Sequence, residues 1–362
     1  MAERKGRMND RERVEAMLKH EKPDRVPIWP FAAAGFCCVH TKTSIADAYN
    51  KPEVSYAAQK KTAQDFGWVF APRIGYAAYG AWEFGGEVKW PSGQFAQAPS
   101  VVRHPVETEE DAWNLKLPDD ISQAGIVPLQ TQFFQMSSKE LLDNEPFNKF
   151  AYCLGPFNTA AMVCSTDRLA KWLIKKPDVA HHILRLTTDY MLKLLEYWKG
   201  QFGLENNIVL SGEAVGTGQI ISAEQFEVFV LPYFQEVYKK AFSLGFKHIY
   251  CHLCGEQNAN LVHWAKLSFG ETGIISIGHE VELETAGSYF PNDIILGNLE
   301  PAIIQSQTPE EVYQATKKNL EDGITKCPGG YIFSPGCELP PMAPEENVMA
   351  MTRAVNDFGW YD

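Results

Sequence analysis

From residue 207 onwards, short apolar runs alternate with longer stretches whose apolar positions recur at helical spacing. Asn207 to Leu210 reads as a strand, followed by a loop from Ser211 to Ile221. Ser222, with Gln225 three residues on, forms a capping box that opens a helix. Phe226, Phe229, Val230, Tyr233 and Val237 continue it at helical spacing. Pro232 should kink that helix or start a second segment. Further strands are expected at His248–Tyr250, Gly273–Ile277, Asp293–Leu296 and Tyr331–Phe333. Helices are expected between them: around Asn258–Leu267, after Val281, and from Thr308, where Pro309 and Glu311 complete the start signal. Pro344 should begin the last helix.

Strands alternating with helices argue for a parallel α/β sheet. Glu213, His252, Cys254, His279, Glu280, Asn298, Glu300 and Cys337 each fall at, or just past, the C-terminal end of an expected strand. A (β/α)8 TIM barrel gathers all such ends on one face, where active sites lie. An open doubly wound sheet would spread them along an edge. The barrel is therefore the expected fold.

The N-terminal third breaks the pattern. Met8–His20 reads as a helix, Arg25–Trp29 as a first strand and Thr108–Leu115 as a later helix start. Between them, residues 74–102 are rich in Gly, Tyr, Trp and Pro and read as loops and a hairpin inserted over the barrel mouth. No linker composition separates an independent unit, so residues 1–362 are expected to form one domain, without repeats or low-complexity segments.

A net charge of -12 and the lack of a Lys/Arg block argue against nucleic acid as a partner. No apolar run is long enough to cross a bilayer, and the N-terminus is too charged for a signal peptide. A cytoplasmic enzyme is expected. In a reducing compartment its eight cysteines are buried apolar residues or metal and redox ligands. The adjacent Cys37 and Cys38 fit the first description.

Cys251-His252-Leu253-Cys254-Gly255 ends an expected strand. Residues two apart on a strand share a face, so His252 and Cys254 can reach one ion. Cys337, in Ser334-Pro335-Gly336-Cys337-Glu338, ends the last strand, and a barrel brings these ends together. One imidazole and two thiolates suit zinc, and a catalytic zinc keeps a further position open. Structural zinc sites usually show paired C-x2-C knuckles, which this chain lacks.

The segments H-L-C-G and S-P-G-C-E-L-P-P, with G-N-L-E-P before the second, resemble the zinc methyltransferases of the uroporphyrinogen decarboxylase superfamily. That branch includes methylcobamide:coenzyme M methyltransferases and corrinoid-dependent O-demethylases. The opening E-R-V-E-A-M-L-K-H-E-K-P-D-R-V-P-I is also similar, so the resemblance spans nearly the whole chain. It implies His252, Cys254 and Cys337 as ligands of Zn2+. True decarboxylases of the superfamily carry an arginine-rich R-Q-A-G-R-Y segment after the first strand. Here that position reads Trp29-Pro30-Phe31-Ala32-Ala33-Ala34-Gly35-Phe36, which argues against porphyrinogen decarboxylation. No D-x-H-x-x-G corrinoid motif is visible. The resemblance thus implies a corrinoid (cobalamin) carried by a separate protein that docks over the mouth. The sequence leaves the oligomeric state open, a homodimer included.

The same three ligands serve two directions of methyl transfer. Zinc can stabilise an oxygen leaving group, or present a thiol as thiolate to methylcobalamin. Two thiolates make an electron-rich zinc, which suits a thiol acceptor. Tyr76, Tyr79 and Trp82 in the insertion, with Phe31 and Phe36 after the first strand, could instead wall an aryl methyl ether. These aromatics lead to the expectation of O-demethylation, with coenzyme M-type thiol methylation as the alternative. A sulfonate acceptor would call for a basic clamp, and Arg73 is the cation that stands nearby. Glu213 is read as a fourth, exchangeable zinc ligand, as a proton donor to the leaving oxygen, or as a loop carboxylate capping the next helix. His279 and Glu280 either orient ligands or satisfy backbone, and Asn298 and Glu300 fix their strand end.

Overall fold

The computed structural model describes residues 6–76, 78–92, 98–139, 150–202 and 208–361. An antiparallel hairpin of β1 (Glu87–Lys89) and β2 (Ser100–Arg103) comes first. Six parallel strands follow in sequence order: β3 (Phe150–Tyr152), β4 (Ile208–Glu213), β5 (His248–Leu253), β6 (Ile274–Ile277), β7 (Ile294–Leu299) and β8 (Tyr331–Pro335). Two extended segments extend the sheet beyond β8. Ile28 bridges Phe333 in parallel, with Trp29 N–H donating to the Phe333 carbonyl at 3.0 Å. Val69 N–H then donates to the Ile28 carbonyl at 2.8 Å. Six strands and two such segments make the eight staves of a (β/α)8 barrel.

The expected strand at Arg25–Trp29 is therefore present in position but not as a regular ladder. Pro27 has no N–H to give, and the chain meets Pro30 directly afterwards. The ring closes across its interior through aromatics. Trp29 lies 5.9 Å from Phe150 and 5.6 Å from Tyr250, centroid to centroid. Each is almost wholly buried, a contribution of roughly 1.5–3 kcal/mol per large side chain.

Helix starts follow their side chains. Ser222 and Thr308 form the expected capping boxes with Gln225 and Glu311, and Pro232 separates helix Ala223–Phe229 from helix Leu231–Ser243. Asn9 caps the first helix, Asp10–Leu18, with Glu12, and Thr108 caps Glu109–Asn114 with Asp111. Asn207, the expected start of β4, lies outside the described residues. The longest helix, Pro177–Phe202, buries Ile183, Leu184, Met191, Leu194 and Trp198 on one face. Its Trp198 indole N–H donates to the Tyr152 carbonyl at 3.1 Å, which pins the helix to β3. No described helix is long and apolar enough to cross a membrane.

The 74–92 insertion runs past the C-terminal end of β3. A Cβ on Gly75 would sit 2.9 Å from the Tyr152 ring. One on Gly80 would sit 2.8 Å from the Thr159 carbonyl, in the helix that follows β3.

Candidate metal centre

Strand alternation divides β5 into two sides. Cys251 is fully buried, and burial pushes its thiol up to about 12 despite the hydroxyls of Tyr238 and Ser211 nearby. Tyr250 faces Trp29 in the barrel interior, so His252 and then Cys254 climb the same side towards the mouth. Cys254 lies one residue past the strand. Its N–H donates to the Glu213 carbonyl at 3.0 Å, and Gly255 then turns the chain at φ +70, a region glycine enters without penalty. Cys337 is delivered by a second glycine. Gly336 N–H donates to the Leu299 carbonyl at 2.8 Å, and a Cβ there would lie 2.8 Å from the His279 nitrogen.

The three donors meet. One ligand atom from each of His252, Cys254 and Cys337 falls within 4.8 Å of the others. The two sulfurs stand 3.9 Å apart. That is too long for a disulfide. It matches the roughly 3.8 Å between two sulfurs on a tetrahedral ion with bonds of about 2.3 Å. His252 Nδ1 is 2.9 Å from the Ser276 hydroxyl. Its other nitrogen, Nε2, is buried and has no hydrogen-bond partner among the described residues. With Ser276 accepting from Nδ1–H, Nε2 keeps its lone pair for a metal. A buried orphan beside two thiols fits a divalent ion such as zinc.

The thiols are unequal. A hydrogen bond from Cys254 and the adjacent His252 favour the Cys337 thiolate, whereas the Cys337 sulfur and burial push Cys254 up. Two thiolates this close repel each other, and a cation between them would relieve that repulsion.

Glu213 is buried at the end of β4, and its carboxylate is held by backbone. Oε1 accepts from Val215 and Gly216 at 2.9 and 2.8 Å, and Oε2 from Asn158 at 3.2 Å. Burial raises it to about 7, against the pull of those amides. Its donor atoms are not among the three that converge. Asn298 holds the Gly278 and Val281 carbonyls at 3.3 and 2.6 Å. His279 is exposed and lies 3.4 Å from Glu280 and 3.9 Å from Glu300.

The five aromatic candidates separate. Phe31 stands edge-on to the His252 ring at 5.8 Å. Phe36 packs among His40, Phe66 and Trp68. Tyr79 is 1% exposed, and its hydroxyl meets that of Tyr190 at 2.8 Å. Tyr76 donates to Glu83 at 3.3 Å and packs on Trp90, as does Trp82. Two further residues, Ser276 and Gln257, bear on the centre without a sequence signature. Ser276 orients the imidazole. Gln257 binds the carbonyls of Cys254 and Gly216 at 3.2 and 3.4 Å, tying together the loops after β4 and β5. Arg73 lies over the Phe31 ring, its guanidinium carbon 3.7 Å from the centroid.

With this geometry in hand, the chain belongs to the uroporphyrinogen decarboxylase (URO-D) family, whose model matches residues 9–358. It is similar to the methylcobamide:CoM methyltransferase MtbA of Methanosarcina acetivorans, 27% identical over 74% of each chain. It is also similar to the uroporphyrinogen decarboxylase of Anaeromyxobacter dehalogenans, 24% identical over 96% of this chain and 99% of the other. Among solved structures, a methyltransferase from Methanosarcina mazei superposes with a TM-score of 0.79 at 21% identity, covering 97% of this chain and 99% of that one. This last likeness confirms the fold. Family membership alone does not choose between decarboxylation and methyl transfer; the side chains at the mouth bear on that choice.

Proposed function

We propose that this protein is a zinc-dependent methyltransferase that moves a methyl group between a small substrate and a corrinoid carried by a separate protein. The observation that carries this reading is the meeting of Cys254, Cys337 and the orphaned Nε2 of His252 at the barrel mouth. A porphyrinogen decarboxylase has no use for such a set, and the arginine-rich segment expected of one is replaced here by Trp29–Phe36. The methylcobamide:CoM methyltransferases among the relatives support the same choice.

His252 Nε2 and the sulfurs of Cys254 and Cys337 would hold the ion. When bound, zinc supplies positive charge that favours a substrate thiolate or stabilises a departing heteroatom. Ser276 holds the imidazole in the tautomer that leaves Nε2 free. Gly255 and Gly336 let both ligand loops turn tightly enough to bring the thiols together. Phe31 stands edge-on against one flank of His252. A methyl carbon held beside these donors would lie at the barrel mouth, and alignment with a docked corrinoid would lower the barrier.

A small thiol is the favoured acceptor. Two thiolate ligands leave zinc electron-rich, and Tyr79 and Phe36 are committed to packing. O-demethylation of a methoxylated aromatic is the second reading, favoured by the Phe31 ring beside His252. The test mixes the metal-loaded protein with methylcobalamin and a thiol panel and follows absorbance for loss of the methyl–cobalt species. The reverse arm uses cob(I)alamin with methoxylated aromatics. Thiol methylation is expected. Demethylation of aromatic ethers without thiol methylation replaces the first reading with the second, and carbon dioxide from a porphyrinogen defeats both.

A further inference from the structure

We propose that Arg73 and Tyr152 form an anion subsite beside the metal centre, which anchors a carboxylate or sulfonate on the small substrate. The proposal rests on the reading that this mouth binds such a substrate, and adds what the rest of that molecule carries.

Arg73 is 8% exposed, yet among the described residues its guanidinium has neither an ion pair nor a side-chain hydrogen bond. Its contact is with Phe31, at 3.7 Å from the ring centroid. Phe31 in turn meets the His252 ring, so two ring contacts lead from the guanidinium to the imidazole. A cation–π contact uses the charge of the group and leaves its N–H donors unspent. Burying such a cation without an anion costs several kcal/mol.

The residue is also held in place. Gln59, 4% exposed, accepts from Arg73 N–H at 3.0 Å and donates to the Arg73 carbonyl at 2.8 Å. Both main-chain groups of Arg73 are thereby fixed, so the side chain leaves from a clamped backbone. Phe31 is fixed likewise, its carbonyl accepting from Leu339 N–H at 2.8 Å, two residues past Cys337.

Tyr152 is the second donor. It ends β3 at the mouth, is 5% exposed, and its hydroxyl has no partner among the described residues. Gly75 passes directly over its ring, since a Cβ there would lie 2.9 Å from Cε1. The short stretch from Arg73 to Gly75 therefore brings guanidinium and phenol to the same wall. Burial pushes the phenol up and the Arg73 charge opposes that shift, in keeping with their proximity. A guanidinium fork and one phenolic O–H match the acceptor oxygens of a carboxylate or sulfonate. Glu338 also lies in this quarter, its charge felt with that of Arg73 at Cys37.

The test is calorimetric binding to the zinc-loaded full-length protein. One series compares mercaptoethanesulfonate, mercaptopropionate and mercaptoethanol, and a second compares methoxybenzoate with methoxybenzene. In one series the anionic member is expected to bind about ten- to a hundredfold more tightly than its neutral partner, as hydrogen bonds to charged groups imply. The order of sulfonate and carboxylate identifies the anion. Arg73→Met should erase that preference and Tyr152→Phe should reduce it severalfold, with zinc content unchanged. Should Arg73→Met not fold, Arg73→Lys keeps the charge, loses the fork and must still lower the preference severalfold. Equal binding of anionic and neutral members, absence of binding in both series, or a preference intact in the Arg73 variants overturns the proposal. A preference confined to the methoxy series keeps the subsite and defeats the thiol reading. Thiols that bind without preference, with no preference in the methoxy series either, keep the thiol reading and defeat the subsite.

Discussion

The metal end and the aromatic insertion are both dense in buried polar groups, yet they differ in how those groups are satisfied. In the insertion each partner is present. Tyr79 meets Tyr190, Tyr76 meets Glu83, and Glu83 accepts from the backbone of Gly80 and Ile126 at 2.6 and 3.2 Å. At the metal end His252 Nε2 is left orphaned, and two thiol sulfurs stand 3.9 Å apart beside it. Stability favours closing every such account within the protein. A group left open at the mouth of a barrel marks where something else is to bind. The contrast separates an insertion packed on its own partners from a site that waits.

The largest effect should come from the open end. Cys337→Ala is expected to abolish zinc binding and lower methyl transfer by more than about a hundredfold, since even losing an outer partner of a ligand costs 10–100-fold. Its melting transition should stay near that of the parent, because the residue lies past β8. Elemental analysis, a transfer assay and thermal denaturation check this, and retained zinc would remove Cys337 from the set. In the insertion the prediction reverses. Glu83→Ala orphans the Gly80 and Ile126 amides and should destabilise the fold by roughly 2–5 kcal/mol with zinc content unchanged, read from urea midpoints and metal analysis.

Ser276→Ala tests the support of the open end. It should weaken zinc affinity about 10–100-fold, measured by competition with a chelator, while the barrel keeps its stability. The smallest effect is a pH dependence in the closed region. Burial holds the Glu83 carboxyl above its ordinary 4.5, against its amide partners. The folded protein keeps that proton to higher pH than the unfolded chain does. The stability it contributes is therefore full below 4.5 and is lost as pH rises through the folded value. Glu83→Gln should flatten that part of a urea-midpoint profile taken over roughly pH 4–8. An unchanged slope would assign it to other groups.

The two regions were unequally legible in the sequence. His252 and Cys254 could be paired from strand alternation alone, and Cys337 joined them once the barrel was inferred from polar residues at strand ends. The capping boxes at Ser222 and Thr308 fixed two helix starts because their signal is local. β3 has three residues, too few for a periodic pattern. Ser276 carries no signature, since a serine within a strand gains its role from a neighbour across the ladder, His252. The aromatics of the insertion read as a pocket because composition cannot tell a ring that lines a space from one that fills it. Tyr79 does the latter, through Tyr190 on a helix far along the chain.

The spacing of Cys254 and Cys337 also bears on how the protein ages. Two thiols held 3.9 Å apart and half-exposed need little more than bond rotation to reach bonding distance once nothing lies between them. A chelated sample left in air should then convert its ligand pair to cystine, and zinc added later would find one imidazole where three donors stood. Recovery would require a reductant before metal. On the proposed reading, the working lifetime would be set by retention of the ion, while the barrel would remain folded after activity had gone.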